Sequence, residues 1–213
     1  PDQFALEYAV LFEVFLPALA RWGLAFPLGG TSNHFRADAL RAVEGWDPYN
    51  VTEDADIGFR LAARGYRLDV ITRPTFETSP ATLRIWTPQR ARWIKGHLQT
   101  LAVHARGPAV RTPRGAVALV LTLALPLASS HLHGPLFIWL LLQSAGSRLD
   151  LWAAVPAMDW MLVFFGWTCI AIAGAEAQRR AGHRQRPLPL LGAIFYWPLQ
   201  SLAAAKALGQ EGD

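Results

Sequence analysis

Three long apolar stretches dominate the second half of the chain. From Gly115 to Ser147 no Asp, Glu, Lys or Arg interrupts the run, which is longer than the roughly 20 residues a helix needs to cross a bilayer. It is predicted to hold either one tilted crossing with an irregular or interfacial portion at "SSHLHGP", or a re-entrant pair. Trp160 to Ala175, extendable back past Asp159 toward Leu151, is read as a second crossing. The third run, Leu188 to Ala205, carries Pro198 in its middle and is read as a kinked crossing or an interfacial helix.

The N-terminal stretch "FALEYAVLFEVFLPALARWG" is also apolar, but Pro17 interrupts it and it contains Glu7 and Glu13. Each acid would cost about 2.5 to 3.5 kcal/mol at bilayer depth. It is therefore read as an interfacial or core-packed helix, ending in the turn signal "FPLGG". Beyond that turn the pattern is α/β. "TSNHFR" is extended, "ADALRAVEGW" is a short amphipathic helix ending in Gly45, and "DPYN" is a turn. A helix then runs through "DADIGFRLAARG" to Gly65, and the alternation in "YRLDVIT" predicts a strand. Thr87 and Pro88 start a further helix. Two short strands and two helices do not complete a domain, so residues 1–113 read as the second half of one, with residues 114–213 as the transmembrane region.

Composition adds a compartment to this division. The 213 residues open on Pro1, with neither an initiator Met nor a cleavable signal, and so read as a piece of a longer protein. The net charge is +4, but mean hydropathy is +0.20, so the basic residues read as membrane flanks and nucleic acid is not an expected partner. Arg179, Arg180, Arg184 and Arg186 share one short loop, whereas the preceding loop sets Arg148 against Asp150. The positive-inside tendency places the Arg-rich loop in the cytoplasm, together with Arg106, Arg111, Arg114 and everything before them. Cys169 is the only cysteine, which excludes a disulfide framework or a cysteine metal cluster.

Two stretches carry candidate chemistry. In "VTEDADIGF" the acids Glu53, Asp54 and Asp56 crowd the head of a helix, where each would gain about 0.3 to 1 kcal/mol from the helix dipole, and Thr52 suits the N-cap. In "TPQRARWIKGHLQTLAVHARG", Gln89, Arg92, Trp93 and Gly96 fall on one helical stripe. Ile94, Leu98, Leu101 and Ala105 form a second, roughly 150° away. The first stripe offers a planar fork for phosphate oxygens, an amide and an indole that can stack on a sugar ring. The plainer reading is an interfacial helix in which Trp93 anchors at lipid headgroups and Arg92 binds lipid phosphate.

Taken together, "TED" (Thr52, Glu53, Asp54) followed by "QRARW" (Gln89, Arg92, Trp93) and then by membrane helices resembles the membrane-bound, processive members of glycosyltransferase family 2, the cellulose-synthase-like polysaccharide synthases. "GGTSNHFR", "GWDPYNVTEDAD" and "RLAARGYR" share in the likeness, which is close from about residue 25 to 110. The resemblance implies the acceptor-side half of a GT-A-type α/β domain followed by a helical transmembrane region. It implies Asp54 as general base, with Glu53 beside it, and Gln89, Arg92, Trp93, Thr52 and Gly30 as residues binding diphosphate and acceptor. The implied reaction is inverting transfer from a nucleotide-sugar, a UDP-sugar, to a growing polysaccharide at the bacterial inner membrane, with the catalytic part cytoplasmic. A divalent metal, Mg or Mn, is implied for the full-length enzyme, on ligands from an N-terminal half that this chain lacks, so the isolated chain is expected to be inactive. The alternative is a non-catalytic membrane-anchored module that binds glycan or lipid phosphate.

Some residues imitate a site. Asp54 and Asp56 have the form of a metal-binding DxD, but in the family that motif lies earlier in the chain, so Asp56 is not assigned to metal. Glu44 stands where the family usually has Gly, which leaves the turn at Gly45 open. His34 and Arg36 point to the same side of an extended segment and are read as structural, the alternative being an acceptor groove along "GGTSN" in which Gly29 and Gly30 admit a glycan. His131 and His133 are assigned no role.

Overall fold

The protein is described from a computed structural model over residues 2–71, 73, 75–149, 157–182 and 187–209. Helix α1 (Asp2–Ala9) continues through a π-helical turn, Val10–Phe15, into α2 (Leu16–Trp22). Short α3 (Ala37–Ala42) and α4 (Glu53–Ala63) precede the long α5 (Leu83–His104). A 3-10 turn, Pro108–Arg111, leads to α6 (Pro113–Leu119), which passes through a second π-helical turn, Val120–Ala124, into α7 (Leu125–Arg148). Helices α8 (Ala157–Arg180) and α9 (Pro187–Leu208) complete the described fold.

This corrects the α/β expectation: among the described residues there is no β-strand, so no GT-A-type sheet is formed. "TSNHFR" and "YRLDVIT" are extended or irregular rather than paired. In the second, Tyr66, Leu68 and Val70 turn inward while Arg67 and Asp69 turn out, so the alternation is genuine. A strand also needs a neighbour to accept its backbone hydrogen bonds, and no described segment supplies one. Thr72 lies outside the described residues.

The apolar runs became helices, with altered details. Among the described residues, four helical stretches are long and apolar enough to cross a membrane: Asp2–Trp22, Pro113–Arg148, Ala157–Arg180 and Pro187–Leu208. "SSHLHGP" is helical, not irregular; the departure from α geometry comes earlier, at Val120–Ala124. Pro198 sits inside α9 without ending it. Asp150, Arg184 and Arg186 lie outside the described residues. Helix α5 also starts earlier than expected, at Leu83, so Pro88 falls inside it; Pro88 lacks the N–H that would bond the carbonyl one turn back, on a largely exposed turn.

One apolar core joins these parts. Phe4, Phe59, Trp86, Ile94, Leu119, Leu123 and Tyr196 belong to a single buried cluster, so α1, α4, α5, α6 and α9 share it. A smaller cluster of Leu16, Leu19 and Phe26 receives Leu68 and Val70. Another, around Ile57 and Leu61, fastens α3 to α4. Helix α4 therefore lies between the "GG" segment and α5.

Candidate active site

The head of α4 is held against α5 by polar contacts in register. Asn50 donates from Nδ2 to Thr100 Oγ1 at 3.1 Å, and its own Oδ1 accepts from the Thr52 N–H at 3.0 Å. Gln99 accepts from the Val51 N–H at 3.3 Å and donates to the Tyr49 carbonyl at 2.9 Å. Thr52, buried, packs directly on Gly96, where any Cβ would collide with its side chain. Thr52 holds the N-cap position, yet its side chain makes no capping bond. Its role here is to join the two helices.

On the opposite side, Asp54 faces the "GG" segment. A Cβ at Gly30 would stand 3.0 Å from Asp54 Oδ2, so backbone at residue 30 borders the carboxylate closely. Gly29 in turn rests near the Phe12 ring. Asp54 Oδ1 accepts from the Ala55 N–H at 2.8 Å. Burial pushes the Asp54 carboxyl above its ordinary range, the Glu53 charge adds to this, and the Ala55 N–H and the Arg92 charge oppose it. Glu53 itself is exposed at the rim. A half-buried carboxylate with raised basicity, within electrostatic reach of an exposed guanidinium, suits proton removal beside a diphosphate.

Of the motif residues on α5, Arg92 is exposed and Trp93 half-buried against the core. Gln89 keeps Oε1 buried without a hydrogen-bond partner among the described residues. The other expected stripe is apolar as read: Ile94 is buried and Leu98 and Leu101 pack on the same cluster, while Ala105 falls just past the helix and is exposed. The structure thus brings Asp54 to Gly30 and Thr52 to Gly96, with the charge of exposed Arg92 acting on Asp54.

The residues that imitate a site have partners within the protein. Asp56 is buried and spends both oxygens within the protein, on Arg60 at 2.5 Å and on His104 Nε2 at 2.7 Å. Burial alone would raise its carboxyl, but these two partners outweigh it and hold it below the usual range. Among the described residues no group of three His, Cys, Asp or Glu side chains could hold a metal ion. His34 bonds the Ser32 carbonyl at 2.9 Å and Arg36 pairs with Asp38 at 2.7 Å, both local contacts. Glu44 adopts φ 61° and Gly45 φ 73°, so the turn forms with a glutamate in left-handed geometry.

Glu77, Thr75, Arg90 and His97 were not foreseen. Glu77 accepts from Thr31 Oγ1, and Thr75 donates to Ser32 at 3.0 Å, tying the segment before α5 down beside Gly30. Arg90, next to Gln89, is buried and paired with Glu7. The need for a cation was legible, since an acid in an apolar helix demands one, but not which residue supplies it. Burial, with the Arg90 charge, holds His97 down at about 4, so it is neutral at physiological pH.

Comparison with known proteins places the chain in a family. Residues 4–174 match the model for glycosyl transferase family group 2. The probable glycosyltransferase YdaM of Bacillus subtilis (strain 168) is 28% identical over 78 residues, 36% of this chain and 19% of its own length. The beta-monoglucosyldiacylglycerol synthase of Synechocystis sp. (strain ATCC 27184 / PCC 6803 / Kazusa) is 31% identical over 74 residues, 34% of this chain and 15% of its own length. The aligned part spans less than a fifth of either relative, and no solved structure matches. With the family model covering most of its length and both chemical stretches, the chain belongs to glycosyl transferase family group 2.

Proposed function

We propose that this chain supplies the acceptor-side residues and membrane helices of an inverting glycosyltransferase. The full-length enzyme, in this reading, moves a sugar from a UDP-sugar to a growing polysaccharide at the cytoplasmic face of the bacterial inner membrane. The observation that supports the reading is that the half-buried Asp54 carboxylate borders the backbone at Gly30 and is acted on by the charge of Arg92. Asp54 takes the proton of the acceptor hydroxyl as its oxygen attacks the anomeric carbon. The bond from that carbon to the diphosphate breaks on the opposite side, inverting the centre, and the nucleoside diphosphate leaves toward the Arg92 fork. Base assistance of this kind is worth roughly 10² to 10⁴ in rate. Trp93 stacks on the acceptor sugar and Gln89 hydrogen-bonds within the same site. A divalent metal belongs to the full-length enzyme in this reading; the described residues offer no ligand set that fits one, and no step here runs through it.

A second reading has a lipid hydroxyl as acceptor. It is supported by the four apolar helices and by the likeness to a synthase whose name describes a glucosyldiacylglycerol. One experiment tests both. Membranes carrying the full-length protein are given labelled UDP-glucose, UDP-galactose and UDP-N-acetylglucosamine, and product is divided into ethanol-insoluble polymer and solvent-extractable lipid. Label in polymer that disappears in Asp54→Asn is the expected result. Label in lipid supports the second reading, and no transfer from any donor overturns both in favour of a binding module.

A further inference from the structure

We infer that Arg90 is a positioning residue for sugar transfer, holding the Trp93 indole by means of a clamp that Glu7 and Tyr196 complete. The inference rests on the glycosyl-transfer reading above. Arg90 donates from Nη1 and Nη2 to the two Glu7 carboxylate oxygens, at 2.5 and 2.6 Å. Tyr196 donates to Glu7 Oε2 at 2.7 Å and accepts from Trp86 Nε1 at 3.0 Å, with Arg90 Nη2 3.5 Å from its hydroxyl. Helices α1, α5 and α9 thus meet at one buried node. The guanidinium carbon lies 4.8 Å from the Trp93 ring centre, 5.6 Å from Trp86 and 5.4 Å from Phe4.

The chemistry of this node gives it a direction. Two parallel bonds to Glu7 fix the plane of the guanidinium, not only its position. A cation fixed over the indole orients the ring, and the Trp93 side chain is only partly buried. Trp86, Arg90 and Trp93 follow one another at i, i+4 and i+7, so they share a stripe of α5. Neither charge can be given up alone, because its partner would be left unpaired in apolar surroundings. The orientation of Trp93 is therefore set from α1 and α9, outside the stretch that contains the motif.

The test uses full-length protein in membranes with the labelled UDP-sugar that the wild type accepts. It reads transfer, hydrolysis of the donor to free sugar, and affinity for UDP. Arg90→Lys keeps a charge opposite Glu7 but loses the plane; Glu7→Gln with Arg90→Met removes both charges together. In each, transfer is expected to fall about tenfold relative to donor hydrolysis, with UDP affinity within about twofold of the wild type. Tyr196→Phe should move the same ratio in the same direction by less. If transfer and hydrolysis fall in equal proportion, or the ratio is unchanged, the positioning role is overturned; should the neutral pair fail to fold, Arg90→Lys decides. A wild type that uses no UDP-sugar sinks the glycosyl-transfer reading and this inference with it, an outcome distinct from an unchanged ratio in Arg90→Lys.

Discussion

Thr52 and Gly96 are in direct contact, the threonine side chain occupying the space that a Cβ at residue 96 would need. Thr52 immediately precedes α4 and Gly96 lies one turn beyond Arg92 on α5, so this contact joins the two chemical stretches. Gly96→Ala should cost about 1 to 3 kcal/mol, because a buried β-branched neighbour has little freedom to yield. Thermal unfolding in detergent measures it, and transfer should fall with it. Adding Thr52→Ala should recover part of the lost stability. A Gly96→Ala protein that melts with the wild type would show that α4 and α5 can part without penalty.

Asp56 is expected to matter for stability and not for chemistry. Its folded pKa is depressed, since His104 and Arg60 outweigh the effect of burial. The stability it contributes is therefore complete above the unfolded value, about 3.9, and is lost as pH falls through the lower folded value. Asp56→Asn should destabilise by about 1 to 3 kcal/mol at neutral pH and flatten the acid end of the stability curve. Turnover per folded molecule should persist. A well-folded but inactive Asp56→Asn would contradict this assignment and return "DAD" to the chemistry.

Glu44 carries strain that the fold does not require. Its φ of 61° costs a non-glycine residue about 1 to 2 kcal/mol, partly offset because glycine loses more chain entropy on folding. Glu44→Gly is expected to stabilise by up to about 1 kcal/mol without affecting transfer. Denaturant midpoints would show this directly. A lower midpoint would mean that the Glu44 side chain makes a contact worth more than the strain.

What could be read in the chain was local. The head of α4 at Thr52, its close at Gly65, and the apolar stripe of Ile94, Leu98 and Leu101 on α5 follow from spacing and end signals a few residues apart. The failures were non-local. "YRLDVIT" has strand alternation, but a strand exists only with a partner, and alternation says nothing of whether one is present. Glu7 was recognised as costly at bilayer depth, yet the neutralising Arg90 lies on another helix, and no local pattern pairs them. Pro88 looked like a helix start because proline is favoured there; the preceding residues from Leu83 are helical all the same. For Thr52 the position was legible and the reason was not, since its side chain serves the contact with Gly96 instead of the cap.

Asp54 should show the reverse of Asp56. Its folded pKa is raised, chiefly by burial, so folding favours the protonated form. That preference adds stability below the unfolded value, and the gain is lost as pH rises through the folded value. At neutral pH the ionised carboxylate is thus a burden on the fold, carried at a position where the proposed reaction needs a base. Asp54→Asn should therefore melt no lower than the wild type while abolishing transfer, with UDP affinity changed by no more than a few-fold. In the wild type, the acid limb of the kcat/KM profile should fall at a pH above the ordinary carboxylate range, because the base must be ionised to act. Melting curves and a pH–rate profile on the full-length protein measure both. Turnover surviving in Asp54→Asn, or an acid limb lying below the ordinary range, would remove Asp54 from the role of base.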